Sequence, residues 1–131
     1  MEDIFKLEII SPEKIIFSDN VPEVIIPSYE GDMTILKDHI SIITFLRPGI
    51  VKAKKNDGNF EDFFVEDGTI EFSNNKLVIL SASIINLKNI TKEFLDSLKK
   101  NTENQLLQKE ITDNDRYVLN HKNETLKEIR I

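Results

Sequence analysis

Few side chains in this 131-residue sequence are of a type that does chemistry. Histidine occurs twice, at His39 and His121, and cysteine is absent. The lack of cysteine excludes disulfides, thiolate zinc sites and a cysteine nucleophile, and it fits a reducing compartment. Asp38-His39 is the one local acid–histidine pair. A corner histidine bonded to backbone explains it more simply than a general base does. Glu61-Asp62 and Glu66-Asp67 pair carboxylates as a glycoside hydrolase would. Both pairs flank turns, where solvated edge charges are ordinary. No G-x-x-x-x-G-K or G-x-G-x-x-G phosphate loop and no H-E-x-x-H occurs. This inventory suits a binding or mechanical part better than an enzyme, with no resident metal or cofactor expected.

Net charge is −6, from 17 basic and 23 acidic residues. The whole excess lies in residues 1–88, which carry 9 basic and 15 acidic residues; the remainder carries 8 of each. An acidic chain with no basic stripe argues against nucleic acid as a partner. Hydrophobic residues at 40% and charged residues at 31% make a folding composition rather than a disordered one. No apolar run approaches the roughly 18 residues that span a bilayer. Met1-Glu2-Asp3-Ile4 has no basic n-region. Neither direct membrane insertion nor a signal peptide is therefore expected.

The elements that would position these residues change character along the chain. All four glycines and all four prolines lie at or before Gly68. A turn-rich front followed by a breaker-free tail reads as β-structure, then helix. Ile4 to Ile9 alternates apolar and charged residues, the period of a half-buried strand. Short strands follow at Lys14–Phe17 and, after a turn at Ser18-Asp19-Asn20, at Val21–Ile26, where Pro22 restricts the strand to an edge or end. Further runs are Met33–Leu36, Ile40–Leu46, Ile50–Lys54, Phe60–Val65, Thr69–Phe72 and Lys76–Leu80. Asp57-Gly58 and Asp67-Gly68 both read as tight hairpin turns, and Asn74-Asn75 as another turn. The expected fold is mainly β with α: residues 1–87 an antiparallel β-sandwich of about ten strands, residues 88–131 an antiparallel two-helix hairpin.

The tail has a thin apolar face. Asn89 or Thr91 can cap a first helix whose face is Ile90, Phe94, Leu95 and Leu98. The face fails over the polar run 99–105 and resumes at Leu106, Leu107 and Ile111. Thr112, with Asp115 three residues on, caps a second helix carrying Val118, Leu119, Leu126 and Ile129. Helices of about 18–20 residues with almost no loop are expected from this pattern. With so little apolar area to bury, docking is marginal. A marginal element is a candidate for movement; a fraying appendage is the plain alternative.

Val24-Ile25-Ile26-Pro27, Glu30-Gly31, Leu36, His39 and Leu46-Arg47-Pro48-Gly49-Ile50 resemble the epsilon subunit family of rotary ATP synthases. So do Leu7-Glu8-Ile9-Ile10-Ser11-Pro12-Glu13-Lys14 with Phe17-Ser18, and Asp67-Gly68 ahead of Glu71, Asn75 and Val78-Ile79-Leu80. The likeness covers residues 4–85; beyond them the tail matches in layout. One departure is the corner Leu36-Lys37-Asp38-His39-Ile40-Ser41-Ile42, which lacks the proline and glycine often found there.

The resemblance implies a non-catalytic subunit of the rotor's central stalk. Its sandwich would bind the gamma subunit and sit on the membrane ring of c subunits, helping to couple proton flow to ATP synthesis. It would lie at the cytoplasmic face of the bacterial inner membrane, held peripherally by the complex. By the same likeness, Tyr29, Glu30, Gly31 and Asp32 meet the ring, or else form an ordinary solvated turn. In some members the hairpin extends along gamma toward the catalytic alpha and beta subunits and inhibits hydrolysis. Arg116, Lys122, Lys127 and Arg130 give the last helix a net +2 suited to an acidic partner, or merely keep it soluble. Some members also bind ATP through an Ile/Leu-Asp-x-x-Arg-Ala motif. Here the matching Thr112 to Tyr117 keeps Asp113 and Arg116 but changes both apolar flanks, so ATP is expected to be a weak or absent ligand. The alternative without this resemblance is an unrelated β-sandwich ligand-binding module with a helical appendage.

Overall fold

A computed structural model describes residues 3–130. Ten strands lead into two helices: β1 Phe5–Ile10, β2 Ile15–Val21, β3 Glu23–Ser28, β4 Gly31–Leu36, β5 Ile42–Leu46, β6 Gly49–Lys54, β7 Phe60–Val65, β8 Gly68–Ser73, β9 Lys76–Ser81 and β10 Ile84–Asn86, then α1 Lys92–Leu106 and α2 Asp113–Glu128. A short 3-10 turn at Leu87–Asn89 joins β10 to the helices.

The strands pair in the order β10-β7-β6-β3-β5-β8-β9-β1-β2, with β4 branching from β3. The β3–β5 link consists of the one pairing Ser28↔Leu46, so the path folds there into two layers. Alternation dictates which side chains enter. Phe5, Leu7 and Ile9 of β1 face inward with Leu77 and Ile79 of β9 and Phe72 of β8, and Val24, Ile26, Val51 and Phe63 of the other layer close over them. One pairing departs from the antiparallel expectation: β1 and β9 run parallel, Lys6↔Lys76 to Ile10↔Leu80. These strands are remote in sequence, so no short connection imposes the antiparallel sense.

Several local readings change. Ser18-Asp19-Asn20 is not a turn; β2 runs through it, pairing Ser18↔Glu8, Asp19↔Leu7 and Asn20↔Lys6. The order places β2 at the outside of the sheet, where polar side chains stay solvated while the backbone takes its partner's hydrogen bonds. Pro22 then separates β2 from β3 rather than lying inside one strand. Gly68 opens β8 instead of supplying a left-handed turn. Its lack of a side chain matters because an added Cβ would fall 2.0 Å from the Leu80 carbonyl oxygen. β10 was not foreseen, being only three residues long. The Asn74-Asn75 turn does take positive φ at both residues.

The hairpin is shorter than expected. Thr91 and Thr112 cap the helices, their hydroxyls accepting from Phe94 N and Asp115 N at 3.2 and 3.0 Å. α1 stops at Leu106, and Leu107 is 80% exposed in the turn 107–112. Phe94 also points outward, because α1 docks through Leu95, Leu98 and Thr102, at helical spacings of three and four.

Candidate functional site

The β3–β4 hairpin carries the residues that the resemblance assigns to the ring. Ser28 pairs with Gly31, leaving Tyr29 and Glu30 at the tip. Gly31 has φ 123°, and Ser28 Oγ donates to its carbonyl at 2.6 Å. Glu30 and Asp32 are exposed, and Asp32 accepts from Arg47 Nη2 at 3.2 Å. Tyr29 is engaged within the molecule. Its ring stacks on Tyr117 of α2 at 5.5 Å and 13°, and Tyr117 Oη donates to the Tyr29 carbonyl at 3.3 Å. His121 sits edge-on to Tyr117 at 4.5 Å.

Behind this loop lies the seam between hairpin and sandwich. Its apolar part is small: Phe64, Ile90, Leu95, Leu126 and Ile129, with Ile50, Ile85, Leu87 and Leu98 packed around them. Its polar part is large for its size. Lys122 Nζ lies 2.6 Å from Glu66 Oε1, with only 11% of the lysine side chain exposed. Thr125 Oγ1 is 2.8 Å from the His121 carbonyl and 3.4 Å from that of Pro48. Asn123 Oδ1 and Asp62 Oδ1 are buried without a hydrogen-bond partner among the described residues. The second helix thus places Lys122 and Thr125 inside the stripe of Val118, Leu119, Leu126 and Ile129.

The basic residues of α2 therefore divide. Arg116, Lys127 and Arg130 are exposed, while Lys122 is spent on Glu66. Asp113 and Arg116 are both exposed in the first turn of α2. A cleft of about 280 Å³ opens between α2 and the strands β3 and β6. Asp32, Glu124 and Glu128 line it together with Arg47, Lys52 and His121, and that balance of signs does not suit a phosphate.

The other layer shows an apolar row on its outer face. The register aligns Phe45 with Thr69, Thr69 with Leu80, Leu80 with Ile10, and Ile10 with Ile15. Phe45 and Ile15 are 64% and 57% exposed, and Ile43 beside them 77%. A row of this kind offers apolar area for a partner to bury. Sequence reasoning had Ile15, Ile43, Phe45 and Leu80 as strand members and Ile10 and Leu80 within the resemblance, but none as a surface row; the outward turn at alternate positions was the available signal. The partners of Tyr117, Glu66 and Arg47 were also missed, since they lie far away in sequence. His39 is the backbone-bonded corner expected of it, with Nδ1 2.7 Å from the Ile40 carbonyl. The side chain of Asn75 brackets Asp38 beside it, accepting from Asp38 N and donating to Asp38 Oδ1.

A β-sandwich with an exposed acidic tip, an exposed apolar row and a helical tail seated on a partly polar seam defines a docking domain with a helical tail. The family model for the ATP synthase delta/epsilon chain β-sandwich domain matches residues 4–87. The ATP synthase epsilon chain of Pelagibacter ubique (strain HTCC1062) is 44% identical over 128 residues, 97% of this chain and 98% of the relative. That of Rhizobium etli (strain CIAT 652) is 33% identical over 95 residues, 72% and 70% of the two chains. The chain belongs to the ATP synthase epsilon chain family. An unrelated ligand-binding module is thereby set aside. A chain in the Euglena gracilis mitochondrial ATP synthase structure shares the fold at TM-score 0.76 and 18% identity, covering 97% of this chain and 81% of that one. One in the Tetrahymena thermophila central stalk and c-ring structure does so at TM-score 0.61 and 17% identity, covering 93% and 90%.

Proposed function

We propose that this chain is a non-catalytic rotor subunit in the central stalk of a proton-translocating ATP synthase, where it helps couple ring rotation to ATP synthesis. Its family membership carries this reading. The apolar row of Phe45, Leu80, Ile10 and Ile15 suits the gamma subunit, since it offers area to bury without unpaired charge. The tip at Tyr29 to Asp32 faces the c-ring, its two carboxylates meeting basic or polar groups there. The complex holds the chain peripherally at the cytoplasmic face of a bacterial inner membrane. No helix among the described residues is long and apolar enough to cross a membrane.

The hairpin serves as a brake on hydrolysis. On extension, Arg116, Lys122, Lys127 and Arg130 present a basic helix to an acidic segment of the catalytic subunits. Lys122 joins that face only after leaving Glu66. ATP is at most a weak regulatory ligand at Asp113 and Arg116; tight, Arg116-dependent binding in calorimetry would overturn this.

The assembled complex tests the brake. Deleting residues 113–131 is expected to leave synthesis and assembly intact and to raise ATP hydrolysis by a modest factor. Reversing Lys122, Lys127 and Arg130 to glutamate should mimic the deletion. Lys127→Glu with Arg130→Glu is the cleaner pair, since both residues are exposed. Unchanged hydrolysis in all three makes the tail structural only.

A further inference from the structure

We infer that the Tyr29–Tyr117 stack makes the β3–β4 tip and the hairpin one coupled unit, so that a partner seated on the tip holds α2 down. This rests on the reading of the tip as the ring-facing loop. Two observations carry it. No side chain of α2 from Asp113 to Asn120 is buried, so these turns lie on the sandwich without a core beneath them. Between them and the tip is a cleft of about 430 Å³, bordered by Tyr29, Asp67, Asn114 and Asp115. The stacked rings and the Tyr117 Oη bond to the Tyr29 carbonyl bridge this gap.

The direction of the coupling follows from what the bridge touches. Tyr117 binds backbone at the tip, between Ser28 and Gly31, whose own hydrogen bond shapes the turn. The Asp32–Arg47 pair fixes the other side. A docked α2 therefore holds Glu30 outward, ready for a partner. Linkage is reciprocal: whatever factor docking contributes to ring contact, ring contact returns to docking.

The test has two arms. In the isolated full chain, Tyr29→Leu and Tyr117→Leu should each speed amide exchange over Asp113–Val118 by roughly 2- to 10-fold, the ratio an ordinary aromatic pair supports. The double variant should match Tyr117→Leu alone, because that change already removes both the stack and the bond to the Tyr29 carbonyl, which Tyr29→Leu leaves in place. In the assembled complex, Glu30→Cys should cross-link to the ring, and adding Tyr117→Leu should lower that yield by a similar factor. Exchange unchanged by Tyr29→Leu, or a ring cross-link indifferent to Tyr117→Leu, overturns the coupling. A Glu30→Cys that never reaches the ring, alongside tyrosine-dependent exchange, overturns the orientation instead and leaves the intramolecular bridge standing.

Discussion

Every apolar side chain in the sandwich core, from Phe5 to Ile79, is at most 2% exposed, whereas Ile90 and Ile129 at the hairpin seam each keep 8%. Polar groups differ more sharply. The buried serines in the sandwich are satisfied by backbone, Ser28 Oγ on the Gly31 carbonyl and Ser81 Oγ on that of Asp67, both at 2.6 Å. The seam instead contains a lysine held by one carboxylate, a threonine shared between two carbonyls and an unpartnered asparagine oxygen. Removing apolar surface from water favours both regions, but desolvated polar groups cancel part of that gain at the seam. The difference teaches how one short chain can pair a densely packed body with a tail whose docking gains less per residue. Releasing the hairpin exposes little apolar area and returns Lys122, Glu66 and Asn123 to water.

Variants can strain this contrast from either side. Phe63→Ala, in the sandwich core against Phe17, should remove about 3–5 kcal/mol of global stability and be visible as a lower denaturant midpoint. Leu126→Ala should cost about 2 kcal/mol, the low end for such a truncation, because the thin seam relaxes. Its loss should fall on the hairpin alone: helix amides exchange faster while the sandwich keeps its protection. A drop in sandwich stability as large as that of Phe63→Ala would erase the distinction. Asn123→Leu should work in the opposite direction, strengthening docking by about 1 kcal/mol through removal of an unsatisfied buried oxygen. In the complex the same change should deepen the docked state and lower inhibition. The smallest effect lies on the sandwich surface. Glu8 accepts from Lys76 at 2.8 Å, which holds its carboxyl below the ordinary value. That contribution is present above the ordinary carboxylate range and is lost as pH falls through the depressed value. Glu8→Gln should therefore lower stability slightly at neutral pH, leave the acid end nearly unchanged, and so flatten the acid limb of a stability–pH curve.

Much of the body was legible in the primary structure. Alternation marked most strands, and Thr91 and Thr112 announced their helices, because both signals act within a few residues. The corner histidine was legible for the same reason. Ser18-Asp19-Asn20 misled because a partner strand outweighs local turn preference, as β1 does here. Phe94 misled because a helix of mixed polarity offers more than one candidate face, and only the docked partner selects among them.

Composition and pattern by themselves determined a sandwich followed by a helical pair with a thin apolar face, with no cysteine chemistry and no phosphate loop. Tertiary structure alone decided which groups meet: Tyr29 with Tyr117, Glu66 with Lys122, Asp32 with Arg47, and the alignment of Phe45, Leu80, Ile10 and Ile15. The physical reason is range. Periodicity, capping and turn preference act across a few neighbouring residues, whereas ion pairs, ring stacks and cross-strand rows depend on positions that only the folded path brings together.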